Sequence, residues 1–189
     1  MSQKSENNIW KDFAKETDGI FKEGYSWISD STEIEYKKWK IIFDNFTIWS
    51  GKYSAETTRI ITPIILIDNF RFEIYREGFT RKIEKLFGAQ DLKIDDNQFD
   101  KSFIIKSNNK FKIKKLLQNK ELKNQLELQK EVNLQISDQK GIWGEKLPKD
   151  QFELSFFLNR KVRDLELLKA ILKLFKIILD DLHEMKAIE

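Results

Sequence analysis

Between residues 161 and 185 the apolar side chains Leu165, Leu168, Leu172, Phe175, Leu179 and Leu182 recur at steps of three and four, flanked by Ile171, Ile178 and Met185. That period belongs to an α-helix, and Lys169, Lys173, Lys176 and Asp180 fall on its opposite side. The apolar stripe covers roughly half the circumference, wider than the narrow seam of a simple coiled coil, and suits a helix lying across a sheet. A face that wide must be covered, either by the rest of the chain or by a second copy. The first cover makes it a core helix, the second a homodimer interface.

The sheet it needs is written into the first half of the chain. From residue 24 to 76 the pattern turns to β-branched and aromatic residues, and stretches such as Glu33-Ile34-Glu35-Tyr36 and Arg71-Phe72-Glu73-Ile74-Tyr75 alternate polar with apolar, as strands with one wet face do. Four or five antiparallel strands fit here. Ser50-Gly51-Lys52 supplies a hairpin turn, and Pro63, which cannot donate to a ladder, is expected at an edge or a bulge. Before this region, Ile9, Trp10, Phe13, Ala14, Ile20 and Phe21 step as one short helix. After it come a helix over 80–87 stopped by Gly88, an acidic loop from Asp91, a strand over 102–106, and a helix capped by Asn108 or Asn109 that carries Ile113, Leu116 and Leu117. A helical piece over 121–128 and strands over 132–136, 142–146 and 152–158 complete the chain. With no repeat and no linker, the expectation is one α+β domain over 1–189: a helix in 1–23, a β-rich half over 24–77, a mixed half over 78–160, and the long helix over 161–186 packed on the antiparallel sheet.

Composition narrows the chemistry. The chain has no cysteine and one histidine, which removes disulfides, thiolate nucleophiles, cysteine zinc sites and two-histidine metal motifs. Apolar residues at 40%, with 15 Phe and 5 Trp, suffice for a core without staples. The first ten residues lack the pattern of an export signal, and the longest apolar run, over 60–67, is interrupted by Thr62 and Pro63 and falls far short of the roughly 20 residues of a membrane helix. A cytoplasmic location is the default expectation. No G-x-S-x-G, P-loop or G-x-G-x-x-G occurs, so no catalytic residue, cofactor or metal is assigned.

Several stretches together resemble a widespread uncharacterised bacterial family. They are residues 43–52 (FDNFTIWSGK), Thr58-Arg59, residues 72–76 (FEIYR) and residues 88–106 (GAQDLKIDDNQFDKSFIIK). Members of that family read roughly "LDTYTxSTGK", "YTR" and "GxQDIEIGDPEFDxxFVIKGND". The resemblance runs from near Trp10 into the terminal helix. Asp95 and Asn97 stand where the family has glycine and proline. No activity is established for the family, so the resemblance implies a single compact domain and no function.

Four groups of residues are candidate sites. Asp91, Asp95, Asp96 and Asp100 form an acidic loop without the spacing of a calcium loop, and Asp100 is a candidate to pair with Arg59 or Arg76. Between residues 106 and 123 seven lysines meet one acid, Glu121, and Lys110, Lys112, Lys114 and Lys115 could face an anionic partner; the rest of the chain is net acidic, since the total is only +3. Phe111, the one aromatic in that window, is expected to pack inward, which argues against nucleic acid and leaves peripheral membrane contact a minor reading. His183 suits the carbonyl end of the last helix. Trp27, Trp39, Trp49 and Tyr53 lie in the first sheet, where alternation puts some of them on the solvent side as a docking patch or a pocket. The reading that follows is a non-catalytic interaction or scaffold domain that holds a protein partner or a second copy of itself. The alternative is a protein that binds a small apolar ligand between sheet and helix, in a pocket lined by Trp and Phe.

Overall fold

The computed structural model describes residues 8–26, 28–50, 53–76, 91–139 and 146–189, with the side chains of 48–50 and 53 outside that description. Its strands are β1 (Ile20–Lys22), β2 (Ser31–Tyr36), β3 (Trp39–Ser50), β4 (Tyr53–Ile64), β5 (Phe72–Arg76), β6 (Asp91–Leu92), β7 (Phe103–Ser107), β8 (Asn133–Ser137) and β9 (Phe152–Leu158). They form one sheet in the order β1-β2-β3-β4-β9-β8-β5-β7-β6, antiparallel at every pairing. The fold is α+β, as the sequence leads one to expect.

β9 makes the sheet continuous. Its residues, Phe-Glu-Leu-Ser-Phe-Phe-Leu, are nearly all buried, and it inserts between β4 and β8 to join the first meander to the second group of strands. A run this apolar suits a strand covered on both faces. Pro63 pairs with Glu153 of β9, but the β3–β4 ladder ends at Ile61, so the proline has a strand on one side only.

The helices are α1 (Ile9–Glu16), α2 (Phe99–Ser102), α3 (Lys110–Leu116), α4 (Lys120–Leu128) and α5 (Leu165–Glu184). Side-chain caps start four of them: Asn8 accepts from the Trp10 amide, Asn109 from Lys112, Asn119 from Glu121 and Leu122, and Asp164 from Glu166 and Leu167. The Asp164 cap sets the true start of the last helix, four residues later than the periodicity suggests. The N-terminal helix is also shorter than expected. It stops at Glu16, Asp18 turns into the left-handed region (φ 52°), and Ile20 and Phe21 become strand β1. Gly19 makes that turn against β2: a β-carbon there would sit 2.9 Å from the Thr32 methyl and 3.1 Å from the Glu33 carbonyl.

All the described helices pack on one face of the sheet. Inward residues Ile41 and Phe43 (β3), Ile60 (β4), Ile74 (β5), Ile105 (β7), Leu134 (β8) and Phe156 (β9) share one buried cluster with Phe13 of α1, Phe99 of α2, Ile113 of α3, Leu122 of α4 and Phe175 and Leu179 of α5. The wide stripe of α5 is spent here, with Leu172 and Leu179 both buried. The last residues close the same layer: Leu66 bridges Ile188, and the Ile67 and Glu189 amides donate to the Ala187 and Ile65 carbonyls at 2.9 and 3.0 Å. None of the described helices is long and apolar enough to cross a membrane. The helix expected over 80–87, the turn at Gly51-Lys52 and most of the strand expected over 142–146 lie outside the described residues.

Candidate functional site

The aromatic patch expected in the first sheet does not include Trp39. Its ring is 4% exposed and lies edge-on to His183 at 5.6 Å, and its indole N–H donates to the Glu189 carbonyl at 3.2 Å. Trp39 pairs with Tyr36 at the β2–β3 turn and shares the parity of Ile41 and Phe43, so it belongs to the inward row. Trp27 lies outside the described residues, as do the side chains of Trp49 and Tyr53.

The pairing expected of Asp100 with Arg59 or Arg76 is also not formed. Register places Arg59 directly across from Asp44, and the guanidinium grips that carboxylate with two bonds, Nε to Oδ1 at 2.9 Å and Nη2 to Oδ2 at 2.6 Å, while stacking on Phe46. Arg76 instead donates to the Glu127 and Gln129 carbonyls at the end of α4 and covers the Phe103 ring. Asp100 serves its own loop, accepting from the Ile94 amide at 3.0 Å.

The acidic loop and the lysine-rich helix, separate features in the sequence, meet in space. Lys114 bonds Asp95 and Lys123 bonds Asp96, each at 2.5 Å, and Lys112 pairs with Asp68. The ammonium groups hold the Asp95 and Asp96 carboxyls below the usual carboxylate range, Asp96 with help from the Phe99 amide. Between loop and helices runs a cleft of about 560 Å³, lined by Ile94, Asp95, Asp96, Lys114, Lys120 and Lys123 among others. Much of the charge excess in this stretch is thus neutralised locally.

Phe111 overturns a third expectation. Ile113, Leu116 and Leu117 fix the inward side of α3, and Phe111 lies about 200° around the helix from Ile113, so it points out and is 88% exposed. Lys110 and Lys115 are exposed beside it, and Lys114 is half-buried on the same outward side. The window thus presents an exposed aromatic ring between ammonium groups.

The opposite face of the sheet holds a second constellation that the alternation pattern hides. A cross-strand row runs Ile61, Ser155, Gln135, Glu73, Lys106, Asp91, and Tyr75 and Phe157 lie on the same face. No described helix packs there, yet Phe157 is 1%, Ser155 2%, Glu73 7% and Tyr75 8% exposed. Burial raises the Glu73 carboxyl to about 7 against the opposing pull of Lys106, and one of its oxygens, Oε2, has no hydrogen-bond partner among the described residues. Burial likewise raises the Tyr75 phenol, with Lys106 pulling it down. Glu153, 8% exposed, joins Asp44 in stabilising the charge of Arg59. By alternation alone Glu73 and Tyr75 belong to a wet strand face. The available signal was the run 153–157, where Glu and Ser interrupt an otherwise apolar strand. Among the described residues, no three metal-ligating side chains come together. In comparisons with protein-family models, curated proteins and solved structures, the chain matches none of them.

Proposed function

We propose that the chain is a non-catalytic interaction domain that docks on an anionic lipid surface through the outward side of α3. The observation that carries this reading is Phe111, 88% exposed and framed by the exposed Lys110 and Lys115. Trp39, one of the four aromatics expected to form a docking patch, and the stripe of α5 are both packed in the core. With its 7 residues α3 is about 10 Å long, small against the roughly 800 Å² each side of a standard protein interface buries. A bilayer demands no matching shape. Each lysine near an anionic leaflet adds about 1 kcal/mol and burial of one Phe side chain about 1.5–3 kcal/mol, which together give reversible, salt-sensitive attachment. Such a leaflet faces the cytoplasm, in line with the default location.

Co-sedimentation with vesicles tests this. The chain pellets with phosphatidylcholine vesicles containing phosphatidylserine and not with phosphatidylcholine alone; Phe111→Ala abolishes pelleting without changing thermal stability, and salt of about 0.5 M does so by screening. Failure to pellet with either vesicle sinks the proposal. Binding of a single-stranded oligonucleotide in place of vesicles would assign the same ring and lysines to base stacking.

A further inference from the structure

The row Gln135, Glu73, Lys106, Asp91 occupies adjacent positions on four neighbouring strands, β8, β5, β7 and β6. Side chains directly opposite in an antiparallel pair have β-carbons about 5 Å apart, within easy reach of a Glu–Lys ion pair. No ion pair closes here. The Lys106 ammonium leans instead toward the Tyr75 ring, 5.8 Å from its centre, and Glu73 keeps an oxygen without a hydrogen-bond partner among the described residues although it is only 7% exposed. An anionic acceptor and a cationic donor thus stand side by side on one wall without consuming each other. From Glu73 outward exposure rises: Glu73 is buried, Lys106 is half-buried and Asp91 is exposed, so among the described residues the row becomes more accessible toward the β6 edge.

The ligand is constrained by both charges. A simple cation at Glu73 meets repulsion from Lys106, and a simple anion at Lys106 meets Glu73 and Asp91. A molecule with opposite charges a few ångströms apart satisfies both, and the burial of the inner positions limits it to a small one. We infer that this row binds a small zwitterion of the α-amino-acid type, its ammonium on the Glu73 carboxylate, its carboxylate on Lys106, with the Gln135 carboxamide as a neutral hydrogen-bonding neighbour. This site is separate from the outward side of α3 and does not depend on the proposal made for it.

The pH dependence follows from the groups that face Glu73. These are Lys106 on β7, Asp91 beyond it on β6, and Tyr75 on the same face of its own strand; β8 places neutral Gln135 opposite it. The bound ammonium needs the carboxylate form, so affinity falls as Glu73 takes up its proton below about 7, while the ligand stays zwitterionic throughout.

Calorimetric titration of the full chain with glycine, L-alanine, L-leucine and L-glutamate, each in turn, tests the inference, with ethylammonium chloride and sodium acetate as half-ligands. Saturable binding of at least one amino acid is expected at pH 8, at least about tenfold tighter than either half-ligand, and about thirtyfold weaker at pH 5.5. Glu73→Gln and Lys106→Met, which keep shape and stem, each weaken it at least about tenfold with circular dichroism unchanged. Should either variant unfold, Gln135→Ala serves as the third probe and also weakens binding. Absence of saturable binding by all four amino acids overturns the inference, as does binding that these substitutions leave unaltered or a half-ligand that binds equally well.

Discussion

The two faces of the sheet are both buried at their centres, but by different means. On the helix-covered face Phe13, Phe43, Phe72, Phe156 and Phe175 are each at 0% exposure in one apolar cluster. There, removal from water is itself the driving force, at about 25 cal/mol per Å², and many hydrophobic residues of suitable volume would serve. On the other face the buried positions include Glu73, Tyr75, Glu153 and Ser155 beside the Asp44–Arg59 pair. Burying such groups is unfavourable unless each finds a partner, so residue identity there is constrained far more tightly than volume. The first face holds the fold together; the second costs stability wherever a buried polar group lacks its partner.

The largest effect should come from breaking the apolar face. Leu179→Lys puts an ammonium at a position with 0% exposure, where no described acid waits for it. We expect a loss of more than about 4 kcal/mol, enough to unfold most of the population, read by urea denaturation. A folded monomer would mean that α5 covers an interface and not a core. On the polar face Asp44→Ala strands the Arg59 guanidinium, whose side chain is 16% exposed. The expected loss is about 3 kcal/mol, and a second substitution, Arg59→Met, should restore most of it, because the cost lies in the unpaired charge. Equal losses in the single and double variants would contradict that account.

Glu73 sharpens the comparison because its substitution should stabilise. Its carboxyl is raised from 4.5 to about 7 on folding, so the folded state holds this proton more tightly than the unfolded one. The contribution of this group to stability is therefore greatest below about 4.5, falls as pH rises toward 7, and stays low above it. The shift sets a ceiling of about 3 kcal/mol on that loss, and Glu73→Gln should recover about 2 kcal/mol at pH 8 and nothing at pH 4. Thermal melts across that range check the sign. A variant less stable than the parent at pH 8 would show that the carboxylate has a partner in the folded chain.

Much of the apolar face was legible because it rests on period alone. Ile41-x-Phe43 and Leu154-x-Phe156 alternate, the α5 leucines step by three and four, and Asn109 is a cap by residue type. β6, at two residues, is too short to carry a period, and Ile20 and Phe21 continued a helical spacing that Asp18 and Gly19 end in the backbone. The polar face was legible only as strands. Alternation tells that Glu73 and Tyr75 point away from the core; whether that side is wet depends on what else the chain brings there. The partner of Arg59 required a register, since Asp44 lies fifteen residues away in sequence and directly opposite in the ladder. Phe111 was legible too: its phase relative to Ile113 and Leu116 places it outside.

The smallest effects belong to the charges that looked most conspicuous in the sequence. Lys114–Asp95 has the same formal charges as Arg59–Asp44, but the Asp95 side chain is 81% exposed against 14% for Asp44. Solvent and salt screen the first pair and not the second. Asp95→Ala should leave the urea midpoint unchanged within error at physiological salt. Asp96→Ala should lower it measurably, because that carboxylate also accepts from the Phe99 amide at 3.2 Å and so helps start α2. Both carboxyls are lowered on folding, so whatever they contribute is present above about 3.8 and lost as pH falls below it, the reverse of Glu73. Melts of the two variants at low and high salt separate the contributions: the Asp96 deficit should persist in high salt as a lost amide contact, while any Asp95 deficit should vanish with screening. A salt-resistant loss from Asp95→Ala would put the acidic loop in the same class as the polar sheet face and erase the distinction between a rim that water neutralises and an interior that only partners can.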